Sequence, residues 1–157
     1  MKILLIAVGK TTTAYITRAI EEYASRIGHY MKFEIAVVPD IKGSRSLSPE
    51  AQKEREGKAI LTMLQPGDAA VLLDERGREL TSRQLAESID ARACRGVKRL
   101  VYIIGGPYGF SPEVYAAVSE RLSLSRMTFT HEMIRLFFTE QIYRAMTIIR
   151  GEPYHHD

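Results

Sequence analysis

The sequence predicts an α/β fold, an open and largely parallel β-sheet with helices on both faces. Two observations lead to this expectation. Apolar runs typical of strands alternate with segments of helical periodicity along the chain. No internal repeat or domain boundary interrupts that alternation, and 157 residues suit one domain by length. We therefore expect residues 1–157 to form a single domain.

The five strand candidates are short apolar runs, and the first of them begins almost at the amino terminus. That first run carries one basic residue, lacks a small-residue cleavage site and leads straight into a helical pattern, so we interpret it as a strand and not as a signal peptide. No apolar run approaches the length of a membrane span, and we expect a cytoplasmic protein with no membrane contact. The candidates are residues 3–8, 33–38, 69–73, 100–104 and, more briefly, 121–124.

The five helix candidates lie between and after these strands, and several have explicit start signals. Ser48 and Ser111 each precede Pro and Glu, which is the pattern of an N-cap, a proline at the first helical position and an acid in the first turn. Thr81 and Gln84 have the spacing of a capping box. The predicted helices cover residues 13–27, 49–64, 82–94, 112–119 and 131–149.

The last predicted helix is apolar over more than one stripe. A surface helix needs only one apolar face, so this one must be buried on several sides. In a chain of this size its own sheet can cover only one of them. We therefore expect a homodimer interface to cover the rest, with a deeply central helix as the alternative.

Composition narrows the function classes only a little. The formal net charge of +3 is a mild bias toward anionic partners, compatible with RNA. Cys94 is the only cysteine, which excludes a disulfide framework, and we expect it to be a buried, inert thiol. The four histidines include no helical pair with the spacing of two metal ligands, so we expect no metal site.

The glycine turn, Gly105-Gly106-Pro107-Tyr108-Gly109, follows the strand 100–104 and is the clearest candidate for a ligand site. It lacks the G-x-G-x-x-G spacing of a dinucleotide fingerprint, and Pro107 removes one backbone donor. Gly9-Lys10-Thr11 likewise fails as a phosphate-binding loop, because Leu4 stands where the first glycine is required. We expect a tight turn at the carboxyl end of its strand, where α/β proteins bind ligands.

Polar residues also follow the strand 69–73. Asp74 and Glu75 are adjacent and should point apart, which is poor geometry for shared acid–base chemistry. We interpret residues 74–78 as a loop facing the same crevice as Gly105, with Arg76 and Arg78 available to phosphates. Residues 40–48 are polar and basic; a mobile loop is the default interpretation and a substrate-contacting loop is the alternative.

Several segments together resemble one family. They are the glycine turn, residues 122–128, His131, Arg135, residues 140–145, and Gly151 with Tyr154 and His155. Residues 2–10 and 73–77 fit the same pattern, so the resemblance spans nearly the whole chain. The sequence is similar to the bacterial large-subunit rRNA pseudouridine N3-methyltransferases, small members of the SPOUT (trefoil-knot) class.

This resemblance implies a C-terminal trefoil knot, a rare exception to the rule against knotted chains. It also implies S-adenosyl-L-methionine as cofactor, a homodimer, and as substrate a pseudouridine in 23S rRNA within assembled ribosomes. The cofactor-binding residues that it implies are Leu73, Gly105, Leu124, Ser125, Arg126, Met127, Thr128 and Phe129.

Methyl transfer to N3 of pseudouridine should be helped by a base, because that position carries a weakly acidic imide proton. His155 is the first candidate, since imidazole titrates near working pH. Tyr154 could stack on the target base. Arg144 and Arg135 could bind phosphate or stabilise the developing anion, with salt bridges on the helix surface as the structural alternative.

Two other functions stay open from the residues alone. The chain could be a flavodoxin-like module that binds a nucleotide or flavin without catalysis. It could also be a non-enzymatic ribosome-associated factor that kept the fold and lost the cofactor, although the intact glycine turn and residues 122–129 count against this.

Overall fold

A computed structural model describes residues 1–156 of the chain and confirms the α/β fold class. The strands are β1 (Lys2–Val8), β2 (Lys32–Val38), β3 (Ala69–Glu79), β4 (Arg99–Ile104) and β5 (Arg121–Ser123). The α-helices are α1 (Ala14–Gly28), α2 (Pro49–Met63), α3 (Ser82–Cys94), α4 (Pro112–Ala117) and α5 (His131–Arg150), with short 3-10 helices at Ser44–Ser46 and Pro153–His155. No helix among residues 1–156 is long and apolar enough to cross a bilayer.

The five strands form one sheet in the order β2-β1-β4-β3-β5, and all neighbouring strands are parallel. Strands β1 and β4 are interior and almost wholly buried, which matches their continuous apolar sequences. Their side chains alternate between two cores. Ile3, Leu5 and Tyr102 face the helices α1, α3 and α5, whereas Leu4 and Val101 face α2 and α4.

The predicted helix starts are confirmed. Ser48 Oγ accepts a hydrogen bond from the Ala51 amide at 3.2 Å and begins α2. Thr81 and Gln84 form a complete capping box, with bonds of 3.1 and 2.9 Å. Ser111 caps α4, which ends at Ala117 and is slightly shorter than predicted.

Strand β3 differs from the expectation for residues 74–78. The strand extends to Glu79, and its pairing with β5 shifts register between Leu73 and Arg78. Gly77 lies inside this irregularity, and a Cβ atom there would stand 2.6 Å from the Leu122 backbone. The predicted loop is therefore a bulged strand whose glycine admits the backbone of β5.

Helix α5 lies between α1 and α3 on one face of the sheet, so its own chain covers more of it than the sequence suggested. Phe138, Ile142 and Ala145 are fully buried in this way. Burial of α5 therefore does not by itself require a second chain. Among its apolar residues Phe137 and Ile149 remain exposed.

Cys94 is exposed, so the expectation of a buried thiol is wrong. Helix α3 buries Leu85, Ala86 and Ile89, which share one stripe. Cys94 is five residues beyond Ile89 and falls away from that stripe, because a helix repeats about every 3.6 residues.

Candidate functional site

A cleft of about 560 Å³ opens at the carboxyl ends of β4 and β5 and beside the register shift of β3. It confirms the expected crevice at this edge of a parallel sheet. Three segments that are distant in sequence line it: residues 73–76 of β3, the glycine turn and the stretch after β5. The predicted cofactor-binding residues that line it are Leu73, Gly105, Leu124, Ser125, Arg126, Met127, Thr128 and Phe129, and their contact with a cofactor stays a prediction.

The glycine turn is held by a hydrogen bond within the turn and by packing against the Phe110 ring. The Gly109 amide donates to the Gly106 carbonyl at 3.1 Å, and Gly109 has the left-handed φ of +79°. Phe110 lies under the turn, so that a Cβ atom at Gly105 would meet its ring at 3.1 Å. A larger residue at 105 would therefore displace either the ring or the cleft wall.

Helix α2 holds this turn from the other side, a contact that sequence reasoning missed. Gly57 packs against the Ser111 cap, where an added Cβ would lie 3.2 Å from Ser111 Cβ. Glu56, only 4% exposed, lies against Gly106. Burial raises the pKa of Glu56, a hydrogen bond from Gln52 opposes this in part, and the charge of Asp40 adds to the increase.

The stretch after β5 is shaped by its own serines. Ser123 Oγ donates to the Ser125 carbonyl at 3.1 Å, and Ser125 Oγ accepts from the Met127 amide at 2.9 Å. These bonds hold the backbone in a compact bend, while the Met127 side chain is 75% exposed. Arg126 Nε pairs with Glu79 at 3.1 Å on the surface.

A polar cluster lies where β3 departs from regular pairing with β5. Tyr115 Oη donates to Asp74 Oδ2, the Arg76 amide donates to Asp74 Oδ1 at 2.8 Å, and Arg76 Nη2 donates to Tyr115 Oη at 3.1 Å. Burial alone would raise the pKa of Asp74, but these hydrogen bonds and nearby arginine charges lower it below its usual value. Glu75 is exposed, which agrees with the prediction that the two acids point apart.

A second cluster forms where the carboxyl-terminal tail returns to α5. Glu140 Oε1 accepts from Arg144 Nη2 at 2.6 Å and from Tyr154 Oη at 3.0 Å. The Arg144 guanidinium lies 4.7 Å from the Tyr154 ring centroid, and Arg144 Nη1 is 3.4 Å from His155 Nδ1. The three candidate catalytic residues therefore lie together, and we call them with Glu140 the tail cluster.

The tail is anchored and not frayed. Tyr30 Oη donates to Glu152 Oε2 at 2.6 Å, and this bond raises the pKa of Tyr30 to about 12. Tyr143 and Tyr154 pack edge to face, with 4.8 Å between ring centroids. Burial, followed by hydrogen bonds to Tyr23 and Glu140, raises the pKa of Tyr154, so its phenol stays protonated.

The tail cluster does not reach the cleft of its own chain. Ile134 lines the cleft, but Arg144, Tyr154 and His155 do not. Along α5 the rise from Ile134 to Arg144 is about 15 Å. The predicted cofactor residues therefore lie together in the cleft, and the predicted catalytic residues lie together in a separate cluster.

Arg135 is a structural residue in this fold. It is 3% exposed, and its Nη2 donates to the Val8 carbonyl at 2.5 Å while Nη1 donates to Thr11 Oγ1 at 2.9 Å. This joins the start of α5 to the end of β1 and leaves the side chain inaccessible to phosphate. Among the described residues no three His, Cys, Asp or Glu side chains are grouped to hold a metal ion.

Comparison with known proteins identifies close relatives. Residues 1–155 match the family described as predicted SPOUT methyltransferase. Proteins of Parabacteroides distasonis and Porphyromonas gingivalis are 57% and 55% identical over 157 residues, covering 100% of both chains in each case. Both relatives are named ribosomal RNA large subunit methyltransferase H.

Two solved structures share the fold at low sequence identity. A probable methylase family protein from Haemophilus influenzae has a TM-score of 0.55 and 13% identity, covering 99% of this chain and 70% of its own. A putative methylase family protein from Neisseria gonorrhoeae has a TM-score of 0.54 and 16% identity, covering 90% of this chain and 81% of its own. These likenesses support the fold alone.

Proposed function

The chain belongs to the SPOUT methyltransferase family, and we propose that it methylates N3 of a pseudouridine in 23S rRNA, using S-adenosyl-L-methionine. The observation that carries this proposal is the meeting of three distant segments in one cleft, in a chain that matches rRNA methyltransferases over its full length. No comparable observation favours a flavin-binding module or a non-enzymatic factor.

The cleft has the size and lining that the cofactor needs. Its volume of about 560 Å³ lies in the usual range for ligand pockets, and its lining combines apolar with polar and charged side chains. Leu73, Ile104 and Leu124 supply the apolar part, while the small glycine turn lets a flat group approach the backbone. Leu73, Gly105 and residues 124–129 would hold the cofactor.

The trefoil knot is part of the same proposal. Strand β5 is at one edge of the sheet, yet the amino-terminal part of α5 binds back to Val8 at the end of β1 through Arg135. Residues 124–130 must therefore pass β3 and β4 before α5 begins. This crossing supports a threaded carboxyl-terminal segment built around the cleft.

A homodimer would bring the tail cluster to the cleft. Within one chain the two are separate, but the chain presents an apolar rim beside the cleft, formed by Met127, Phe129 and Phe137. The two phenylalanine rings pack edge to face at 5.1 Å and are more than a third exposed. An isologous interface on this rim would place the tail of one protomer at the cleft of its partner.

Bound S-adenosyl-L-methionine supplies a reactive methyl group, so the protein's main task is to position and deprotonate the target base. His155 is the base in this proposal and takes the N3 proton. Tyr154 is held neutral by its raised pKa, so it serves as a stacking surface and not as the base. Arg144 provides the positive charge beside the anion that forms.

The test is transfer of a labelled methyl group to 70S ribosomes, free 50S subunits and bare 23S rRNA. We expect transfer to assembled ribosomes, the label at N3 of one pseudouridine, and no transfer when uridine replaces that pseudouridine. Because phosphate contacts dominate RNA binding, activity should fall steeply with salt. If none of the three substrates is methylated, the proposal is wrong. A purified protein that carries flavin would favour the alternative of a flavin-binding module.

A further inference from the structure

The cleft has one charged wall that the proposed roles leave unused. This polar wall consists of Lys53, Asp74, Arg76 and Tyr115, contributed by α2, β3 and α4. Apolar side chains, Ile104, Leu122 and Ile134 among them, contribute another part of the lining. The cleft therefore suits a ligand with one apolar end and one charged end.

Arg76 is held in place on this wall without being buried. Its Nη2 donates to Tyr115 Oη at 3.1 Å, its Nε lies 3.6 Å from Asp74 Oδ1, and its guanidinium lies 5.6 Å from the Tyr115 ring centroid. The side chain is nevertheless 68% exposed. Its planar fork is thus fixed in orientation while much of it faces solvent.

Asp74 acts as the anchor of this arrangement. Its side chain is 7% exposed, and its two oxygens accept from the Tyr115 hydroxyl and the Arg76 amide. A second guanidinium, that of Arg121, lies 4.4 Å from the Tyr115 ring centroid, but Arg121 does not line the cleft. The charge that the wall presents to the cleft is therefore mainly that of Arg76 and Lys53.

We propose that Arg76 binds the α-carboxylate at the methionine end of the methyl donor, an inference that rests on the proposed function. The donor has a flat aromatic end, suited to the apolar lining, and a charged amino-acid end. A guanidinium and a carboxylate form charge-assisted, often bidentate hydrogen bonds. Glu75, exposed on the same lining, is the acidic side chain available to the α-ammonium group.

An RNA phosphate is the other anion that Arg76 could bind. The two possibilities are distinguished by removing either the carboxylate from the donor or the positive charge from position 76. Decarboxylated S-adenosylmethionine lacks only the proposed partner. Arg76→Gln lacks the charge, and Arg78→Gln is the matched control, because Arg78 is exposed on the same strand and does not line the cleft. Equal melting temperatures of the three proteins establish that the fold is retained.

The experiment is calorimetric titration of each protein with S-adenosylmethionine and its decarboxylated form. We expect the wild type and Arg78→Gln to bind the intact donor about three- to tenfold more tightly than the decarboxylated form. Arg76→Gln should lose most of this preference.

Two results would overturn the inference while leaving the proposed function in place. One is an Arg76→Gln variant that keeps the full preference. The other is a variant that binds the intact donor normally but has lost affinity for ribosomes, which would assign Arg76 to an RNA phosphate. A wild-type protein with no affinity for the donor would reject the proposed function and this inference together.

Discussion

Glu56 and Gly106 are in direct contact, although one is on helix α2 and the other in the glycine turn. A Cβ atom at position 106 would overlap Glu56 Oε2 and lie 2.9 Å from Glu56 Cδ. That buried oxygen has no hydrogen-bond partner among the described residues. Only a glycine lets the turn settle this close to the carboxyl group, so α2 helps to fix one wall of the cleft.

Replacing Gly106 by alanine should disturb both stability and donor binding. An added methyl group forces either the buried Glu56 carboxyl group or the turn to move, and overpacking costs up to about 3 kcal/mol. Movement of the turn should also weaken the affinity for S-adenosylmethionine. Gly28→Ala is the control, because a Cβ atom there meets nothing within 4 Å. Denaturant unfolding and calorimetry provide the measurements. If Gly106→Ala matched Gly28→Ala in both, the contact would have no consequence for the cleft.

Stability should depend on pH through Glu56. Its pKa is raised by burial above the usual 4.5, so the folded chain binds this proton more readily than the unfolded chain. The wild type therefore loses unfolding free energy as pH rises from about 4.5 through the folded-state pKa. Glu56→Gln cannot titrate, so the stability difference should move in favour of the variant as pH rises above the usual value of 4.5.

Unfolding curves at several pH values measure this difference. Glu54→Gln, which replaces an exposed carboxyl group on the same helix, is the control. A difference between Glu56→Gln and the wild type that does not change with pH would mean that Glu56 does not titrate in this range.

Glu132 should make stability depend on pH in the opposite direction to Glu56. It accepts hydrogen bonds from the amides of Thr12 and Thr13 at 2.7 and 3.3 Å, and these bonds, that of Thr12 first, lower its pKa to about 2. The stabilisation is present above the usual value of 4.5 and is lost as pH falls toward about 2. Glu132→Gln should therefore be less stable than the wild type near neutral pH, and the gap should close on acidification.

Thermal unfolding across this acidic range, with Glu21→Gln as an exposed control on α1, measures the gap. A gap that stayed constant down to about pH 2 would show that the ionised carboxylate is not what joins α5 to the start of α1.

The tail cluster should affect chemistry more than ribosome binding. His155→Ala removes the proposed base and should lower the single-turnover rate about 100-fold or more. Tyr154→Phe keeps the ring and loses the hydrogen bonds of the phenol to Glu140, at 3.0 Å, and to Tyr23, so a smaller decrease is expected. Rapid-quench methyl transfer at saturating ribosomes measures both. Wild-type rates in both variants would make the tail a lid and not part of the catalytic machinery.

Much of the cleft could be predicted from the sequence because it follows from topology. Carboxyl ends of parallel strands meet at one edge, so Leu73 and Gly105 were expected to share a crevice. Residues 124–129 carry no such signal, and only the family resemblance indicated them. Glu56 and Tyr115 were missed because their importance comes from contacts with residues 41 or more positions away.

Two further differences between the predicted and the observed structure have local physical causes. Asp74 to Gly77 have the composition of a turn, yet Gly77 admits the β5 backbone and the strand continues. The apolar pattern of α5 indicated burial on several sides, but periodicity does not say which element supplies the cover. In the structure α1 and α3 supply much of it, so the interface is now expected at the rim beside the cleft.

The most direct test of a methyl-transfer centre built from two chains uses a mixed dimer. Thr128→Trp fills the cleft from an exposed position, and His155→Ala disables the tail. Each variant alone should be nearly inactive. The two variants carry different tags and are co-expressed. Purification through both tags then selects dimers that contain one chain of each variant.

Methyl transfer to ribosomes by this mixed dimer is the decisive measurement. If the tail of one protomer serves the cleft of its partner, one of the two centres is complete and roughly half of the wild-type activity returns. If the mixed dimer is no more active than either variant alone, the tail does not act in the partner's cleft, and the proposed centre is wrong.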